Sequence, residues 1–351
     1  MQVTCAIIDE AAAQGLLKAN DTEGLWKFLV ERQQEAPTFK AGHVLYYLGA
    51  MIAIGAMTLF MTLGWQRFGG FGLLLISAAY GAAALALTEY LLRSRKLVTP
   101  AGIMAALAVV MVPLGIYALQ HLLGFWTTAG GSETAYRDYH THIDWRWVVM
   151  ELATLLAGAL ALWRYRLPFI VLPVAVTLWY MSMDLAPLLL GVGSASVFSY
   201  ERKLISVVFG IGMTLLAFYV DLRSRHGRDF AFWLYVFGVL TFWGGLTMME
   251  SDSELSKALY CVINLAMIAA GAALSRRVFA VFGGLGVALY LGHLSHTIFR
   301  DSMLFPVALT AIGLAVIAGG IYWQRHEAVI GRRLRSCMPL PVRSLLEQRA
   351  A

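Results

Sequence analysis

The stretch FGGFGLLLISAAYGAAALALTEYLLRSRK, residues 68–96, decides the fold class. From Phe68 to Thr88 it carries no charged side chain. An α-helix needs about 20 such residues to cross a hydrocarbon layer of about 30 Å. Within the run Ala78, Gly81, Ala82 and Ala86 share a helix face, and small residues there let a second helix approach closely. Arg93, Arg95 and Lys96 then close the segment. A basic cluster directly after an apolar span marks the cytoplasmic end.

The same pattern recurs along the chain. Of 351 residues, 59% are hydrophobic and 14% charged, well beyond the balance of a soluble domain. Ten apolar segments are expected to span, near 43–65, 68–92, 100–124, 146–163, 167–190, 204–222, 230–250, 257–275, 278–297 and 305–324. Alternate connections are basic: Arg93 to Lys96, Arg164 and Arg166, Arg223 to Arg228, Arg276 and Arg277. With both termini, that side holds 20 of the 27 Lys and Arg residues. Arg67, Arg137, Arg146, Arg202, Lys203, Lys257 and Arg300 make up the other side. The positive-inside rule then puts both termini in the cytoplasm and 136–144 outside. Acidic residues from Asp9 to Glu35 and the lack of an early apolar core argue against a cleavable signal peptide. The net charge of +6 follows from this asymmetry, and no nucleic-acid motif accompanies it.

The expected architecture is all-α: a polytopic bundle of about ten transmembrane helices over 41–325, between a cytoplasmic helical hairpin (1–40) and a basic cytoplasmic tail (326–351). The hairpin reads from two helical stretches that meet at Gly15, with Asn20 and Glu23 capping the second. Its apolar face, Leu25, Phe28 and Leu29, is too small to hold a core alone, so a cytoplasmic protein partner or a homo-oligomer is expected. Six arginines from Arg325 to Arg349 suit the tail to anionic lipids. Cys5, Cys261 and Cys337 are scattered and form no disulfide framework or CxxC motif.

The segment IIDEAAAQGLLKANDTEGLWKFLVER, followed by YYLGAMIAIGAMTLFMTLGW, resembles the opening of a bacterial membrane-protein family called domain of unknown function 2157. The likeness covers roughly the first 90 residues: a short hairpin around a GLL turn, then a Gly-rich span ending in Trp65. It implies a bacterial inner-membrane, multi-pass protein. The family brings no activity and no catalytic residues.

Ionisable groups within spans are costly and mark functional candidates. Glu89 and Asp221, at cytoplasmic ends beside Arg93 and Arg223, read as interfacial counter-charges. His121, Glu151, Asp184, Glu250, His293 and His296 all fall toward outer ends, and Asn264 is the polar residue nearest mid-span. LGHLSHTIFRD, Leu291–Asp301, places His293 and His296 three apart on one helix face. Together these residues compose a candidate polar cavity that opens outward. Imidazole and carboxylate could bind a metal there or perform acid–base chemistry, although HxxH alone is a weak metal signature. The two histidines could equally mark where the helix meets water. The Gly-Ser pair at Gly193 and Ser194 lacks the partners of an intramembrane protease, and no P-loop, dinucleotide fingerprint or haem-attachment motif occurs, so no cofactor is expected. The leading expectation is binding or movement of a small solute or ion. An outer-leaflet enzyme using His and carboxylate, and a scaffold acting through the hairpin, are the alternatives.

Overall fold

The computed structural model describes residues 41–125, 145–190, 200–223, 229–249, 253–274 and 276–299, with isolated positions elsewhere. Nearly all of the hairpin and of the segment at 305–324, the loop at 136–144, Glu250 and the tail lie outside the described residues. The described residues form eight helices and no strand: α1 (Ala41–Arg93), α2 (Val98–Leu122), α3 (Trp145–Tyr165), α4 (Val171–Leu190), α5 (Tyr200–Arg223), α6 (Phe232–Thr247), α7 (Glu254–Leu274) and α8 (Arg277–Phe299). A 3-10 turn at Pro168–Ile170 leads into α4. The chain divides into two compact units, Met1–Arg67 with Ser224–Asp229, and Phe68–Arg223 with Phe230–Ala351. The side-chain geometry that follows belongs to the second.

Two expected spans, 43–65 and 68–92, fall within α1, which consists of two helical stretches meeting at a kink. Its one break is Gly69, at φ 60° and ψ −172°, a conformation costly for any residue with a Cβ. The expected start of the second span, at 68, lies one residue from this break.

Six helices among the described residues are long and apolar enough to cross a membrane, not ten. They are Gly69–Arg93, Val98–Leu122, Trp145–Tyr165, Tyr200–Arg223, Glu254–Leu274 and Arg277–Leu294. The apolar helices at Pro168–Asp184 and Phe232–Thr247 are shorter. At about 1.5 Å per residue, α6 reaches only about 24 Å, less than the hydrocarbon thickness. Hydropathy had counted flanking residues at 230–231 and 248–249 that do not continue its helix.

The outward faces explain where these helices reside. Leu152, Leu156 and Leu160 form an exposed stripe on α3, and Leu204, Val208, Ile211 and Leu215 do so on α5. Leu255, Leu259 and Val262 repeat the pattern on α7. Stripes of this length facing water would be an aggregation hazard, whereas lipid is their proper solvent. The chain is a polytopic membrane protein.

Small residues set the internal packing. The α5–α6 pair is nearly backbone to backbone: Gly210 abuts the Phe242 backbone, and a methyl on Gly245 would stand 2.9 Å from the Lys203 carbonyl oxygen. The α7–α8 pair is similar, with Gly283 and Gly286 against Asn264, whereas Gly284 and Gly292 face open space. Tyr235, Val239, Met213, Ala217, Met267 and Phe279 join both pairs to α4 in one core. A second cluster, Ala101, Ala105, Val109, Leu167 and Ile170, seats the 3-10 turn against α2.

Candidate functional site

The buried face of α3 consists of Met150, Glu151, Thr154 and Gly158. This helical stripe meets α4, where Val174 fills the space a side chain at Gly158 would need. Thr154 disposes of its own hydroxyl by donating to the Met150 carbonyl at 2.7 Å. Glu151 has no such recourse. It is only 6% exposed, and neither carboxyl oxygen accepts a hydrogen bond among the described residues.

Asp184 of α4 is the neighbouring group whose charge acts on Glu151. The positions match in depth. Glu151 lies six residues into α3 and Asp184 six residues before the end of α4, about 9 Å along each helix. Both are therefore set inside the bundle at the end away from Arg164.

The other expected site residues do not gather there. His293 Nε2 lies 3.9 Å from Glu254 of α7, whose carboxylate also receives Lys257 at 2.7 Å. That group is partly exposed at the rim. The backbone of His296 belongs to α8, and its side chain lies outside the described residues. His121 stands at the end of α2, close beside Gly70. Asn264 is fully buried between α7 and α8, its amide donating to the Tyr260 carbonyl at 2.8 Å. Among the described residues no three His, Cys, Asp or Glu side chains are grouped as a metal ion would need. What converges is the acid pair.

At the opposite end, Glu89 meets Arg93 at 2.8 Å, as its sequence position suggests, and also Arg164 at 2.9 Å. Asp221 departs from expectation. Its partner is Arg276, between α7 and α8, with Nη2 2.6 Å from Oδ1 and Nε 3.1 Å from Oδ2. Their side chains are 6% and 11% exposed, so this is a buried, two-pronged ion pair. The Tyr235 hydroxyl reaches Asp221 at 3.4 Å, and the Arg276 guanidinium lies 5.3 Å from the Tyr235 ring centre. Arg223 instead stacks on Tyr219. Local charge spacing could not find a pair 55 residues apart. The available signal was an acid inside an apolar run together with an Arg-Arg dipeptide in a connection too short to reach far into water.

The α2 and α3 ends meet at the far side: Gln120 donates to the Arg146 carbonyl at 3.1 Å, Arg146 donates to the Phe125 carbonyl, and Phe125 stacks edge-on against Trp145. The basic connections and the acid pair thus occupy opposite ends of α3.

No protein-family model, curated protein or solved structure matches the chain.

Proposed function

We propose that this chain is a bacterial inner-membrane protein that binds and moves a small solute or ion, with Glu151 and Asp184 as its contact residues. The observation that carries the reading is the acid pair itself. A carboxyl buried in a membrane-spanning helix and close enough to feel a second carboxyl's charge is costly unless it has a use. The pair lies away from the basic helix ends, which supports access from the outer side. The histidine-dependent enzyme reading has less support, because His293 pairs with Glu254. The resemblance to domain of unknown function 2157 belongs to the same proposal and rests on the opening residues quoted above.

The ligand reading is tested with the purified full chain by thermal unfolding against a panel of inorganic cations, anions and neutral metabolites. A solute at 100 times its Kd stabilises the folded state by about 2.7 kcal/mol, a rise of several degrees. Glu151→Gln and Asp184→Asn should each remove that rise while unliganded unfolding stays cooperative. A panel without any stabilising solute would overturn the reading.

Orientation has its own test. In intact cells a single cysteine at position 95 should stay unlabelled by an impermeant thiol reagent, and one at position 140 should react. Labelling at position 95 would reverse the assignment.

A further inference from the structure

The α1–α2 and α3–α4 turns stand side by side at the basic end of the bundle. Leu91 and Leu92 of α1 and Leu162 and Tyr165 of α3 pack on one buried cluster, which includes Ala101 and Leu167. Glu89 joins the two helix ends, meeting Arg93 at 2.8 Å and Arg164 at 2.9 Å. Arg95 donates from Nε to the Tyr90 hydroxyl at 3.2 Å, and the Arg164 guanidinium lies 5.0 Å from the Tyr165 ring centre. Three guanidiniums are thereby held at one surface instead of reaching separately into water.

Charge there is unbalanced. Residues 89–100 and 160–170 carry Arg93, Arg95, Lys96, Arg164 and Arg166, and Glu89 is their only acid. All five basic residues are exposed. One carboxylate shared between two arginines neutralises neither fully, and each guanidinium has five N–H donors to satisfy. Within the two turns an excess of positive charge remains.

The backbone gives an independent indication. Lys96 and Arg166 have φ of 52° and 51°, the left-handed region that favours glycine, and among the described residues no other non-glycine residue has positive φ. Each stands directly before the N-cap of the next element, Leu97 and Leu167. Glycine would make both turns without strain, yet both carry a long cation. Strain of this kind marks positions whose side chain has a use. Trp163 is 77% exposed beside Arg164, and Tyr90 is 48% exposed; aromatic rings of this kind collect at headgroup depth. The anion abundant at that depth is lipid phosphate.

We propose that the α1–α2 and α3–α4 turns form a binding site for the headgroup of an anionic phospholipid. Arg95, Lys96 and Arg166 supply the contacts, and the Glu89 bridge fixes Arg93 and Arg164 beside them. Leu97 offers no side-chain hydrogen bond to the first turn of α2, so backbone N–H groups of that turn add donors for the same anion.

Native mass spectrometry of the purified full chain, offered phosphatidylglycerol and phosphatidylcholine in equal amounts, reads the site. The native chain should retain phosphatidylglycerol in preference. Lys96→Gly with Arg166→Gly should cut that preference by at least about tenfold, because each basic residue near the surface is worth about fivefold. Glycine suits both torsions, so this variant should still unfold cooperatively. Arg95→Gln, which leaves both turn backbones alone, should cut the preference about fivefold. Arg223→Gln with Arg277→Gln removes equal charge from other basic connections and should leave it intact. A native chain without preference overturns the proposal, as does a preference that survives the glycine variant. A loss equal in both double variants would show only the diffuse attraction of a basic surface, and overturns it too. Displacement of the lipid by inorganic phosphate would mark a free-anion site and overturn the lipid assignment. Should the glycine variant fail to fold, Arg95→Gln decides alone, and an undiminished preference there overturns the site.

Discussion

Arg276→Met should lower the stability of the folded bundle by about 3–5 kcal/mol, the typical cost of removing one partner from a buried ion pair. The loss arises mainly from what remains. Asp221, 6% exposed and held by two Arg276 nitrogens, would keep a buried charge without its guanidinium partner. The paired variant Asp221→Asn with Arg276→Met should recover most of the loss, because it removes the stranded charge along with its partner. Unfolding in mixed micelles of increasing denaturing-detergent content, followed by circular dichroism, separates these outcomes. A single variant no less stable than the double would show that the pair contributes little.

A comparable effect is expected at Gly210. A methyl there would overlap the backbone nitrogen and Cα of Phe242, atoms that cannot turn aside as a flexible side chain can. Gly210→Ala must therefore push α5 and α6 apart, at the upper end of the about 1–3 kcal/mol usual for overpacking. Gly212, two residues on in the same helix, has nothing within 4 Å of an added methyl. Gly212→Ala should be neutral or stabilising by up to about 1 kcal/mol, since alanine favours the helix over glycine. The same unfolding titration serves both variants. Equal responses would show that helix propensity, not the close approach of α5 to α6, governs these positions.

These two positions also mark where sequence reading ends. Apolar blocks of helix length revealed the helices well, because lipid makes one demand of every residue facing it and leaves a long, uniform pattern. Blocks 68–92, 100–124 and 204–222 correspond closely to helical stretches. The count of spans was less legible: hydropathy ignores whether flanking residues stay helical, so α6 was read as longer than its 16 residues. The break in α1 was legible, since the expected span start at 68 lies one residue from Gly69.

The site divides in the same way. Depth can be counted along a helix, and Glu151 and Asp184 each stand six residues in from a helix end. Rotation about the helix axis sets which side chains meet, and it depends on packing with other helices. His293 consequently turned to Glu254, and Asp221 to Arg276 rather than to its sequence neighbour Arg223. Gly283, Gly284, Gly286 and Gly292 are alike in the sequence, yet Gly283 and Gly286 abut α7 while nothing lies near Gly284 and Gly292. Composition identifies a residue as suited to contact, but it does not say which face the partner occupies.

The central claim is that α3 and α4 bring Glu151 and Asp184 side by side within the membrane. Cross-linking tests it most directly. In a chain whose Cys5, Cys261 and Cys337 are replaced by serine, Glu151→Cys and Asp184→Cys together should close rapidly into an intramolecular link with a mercuric ion or a mild oxidant in native membranes. Moving one cysteine to Leu152 or Leu156, on the exposed face of α3, should abolish it. Efficient linkage from the exposed positions, and none from 151 to 184, would contradict the account.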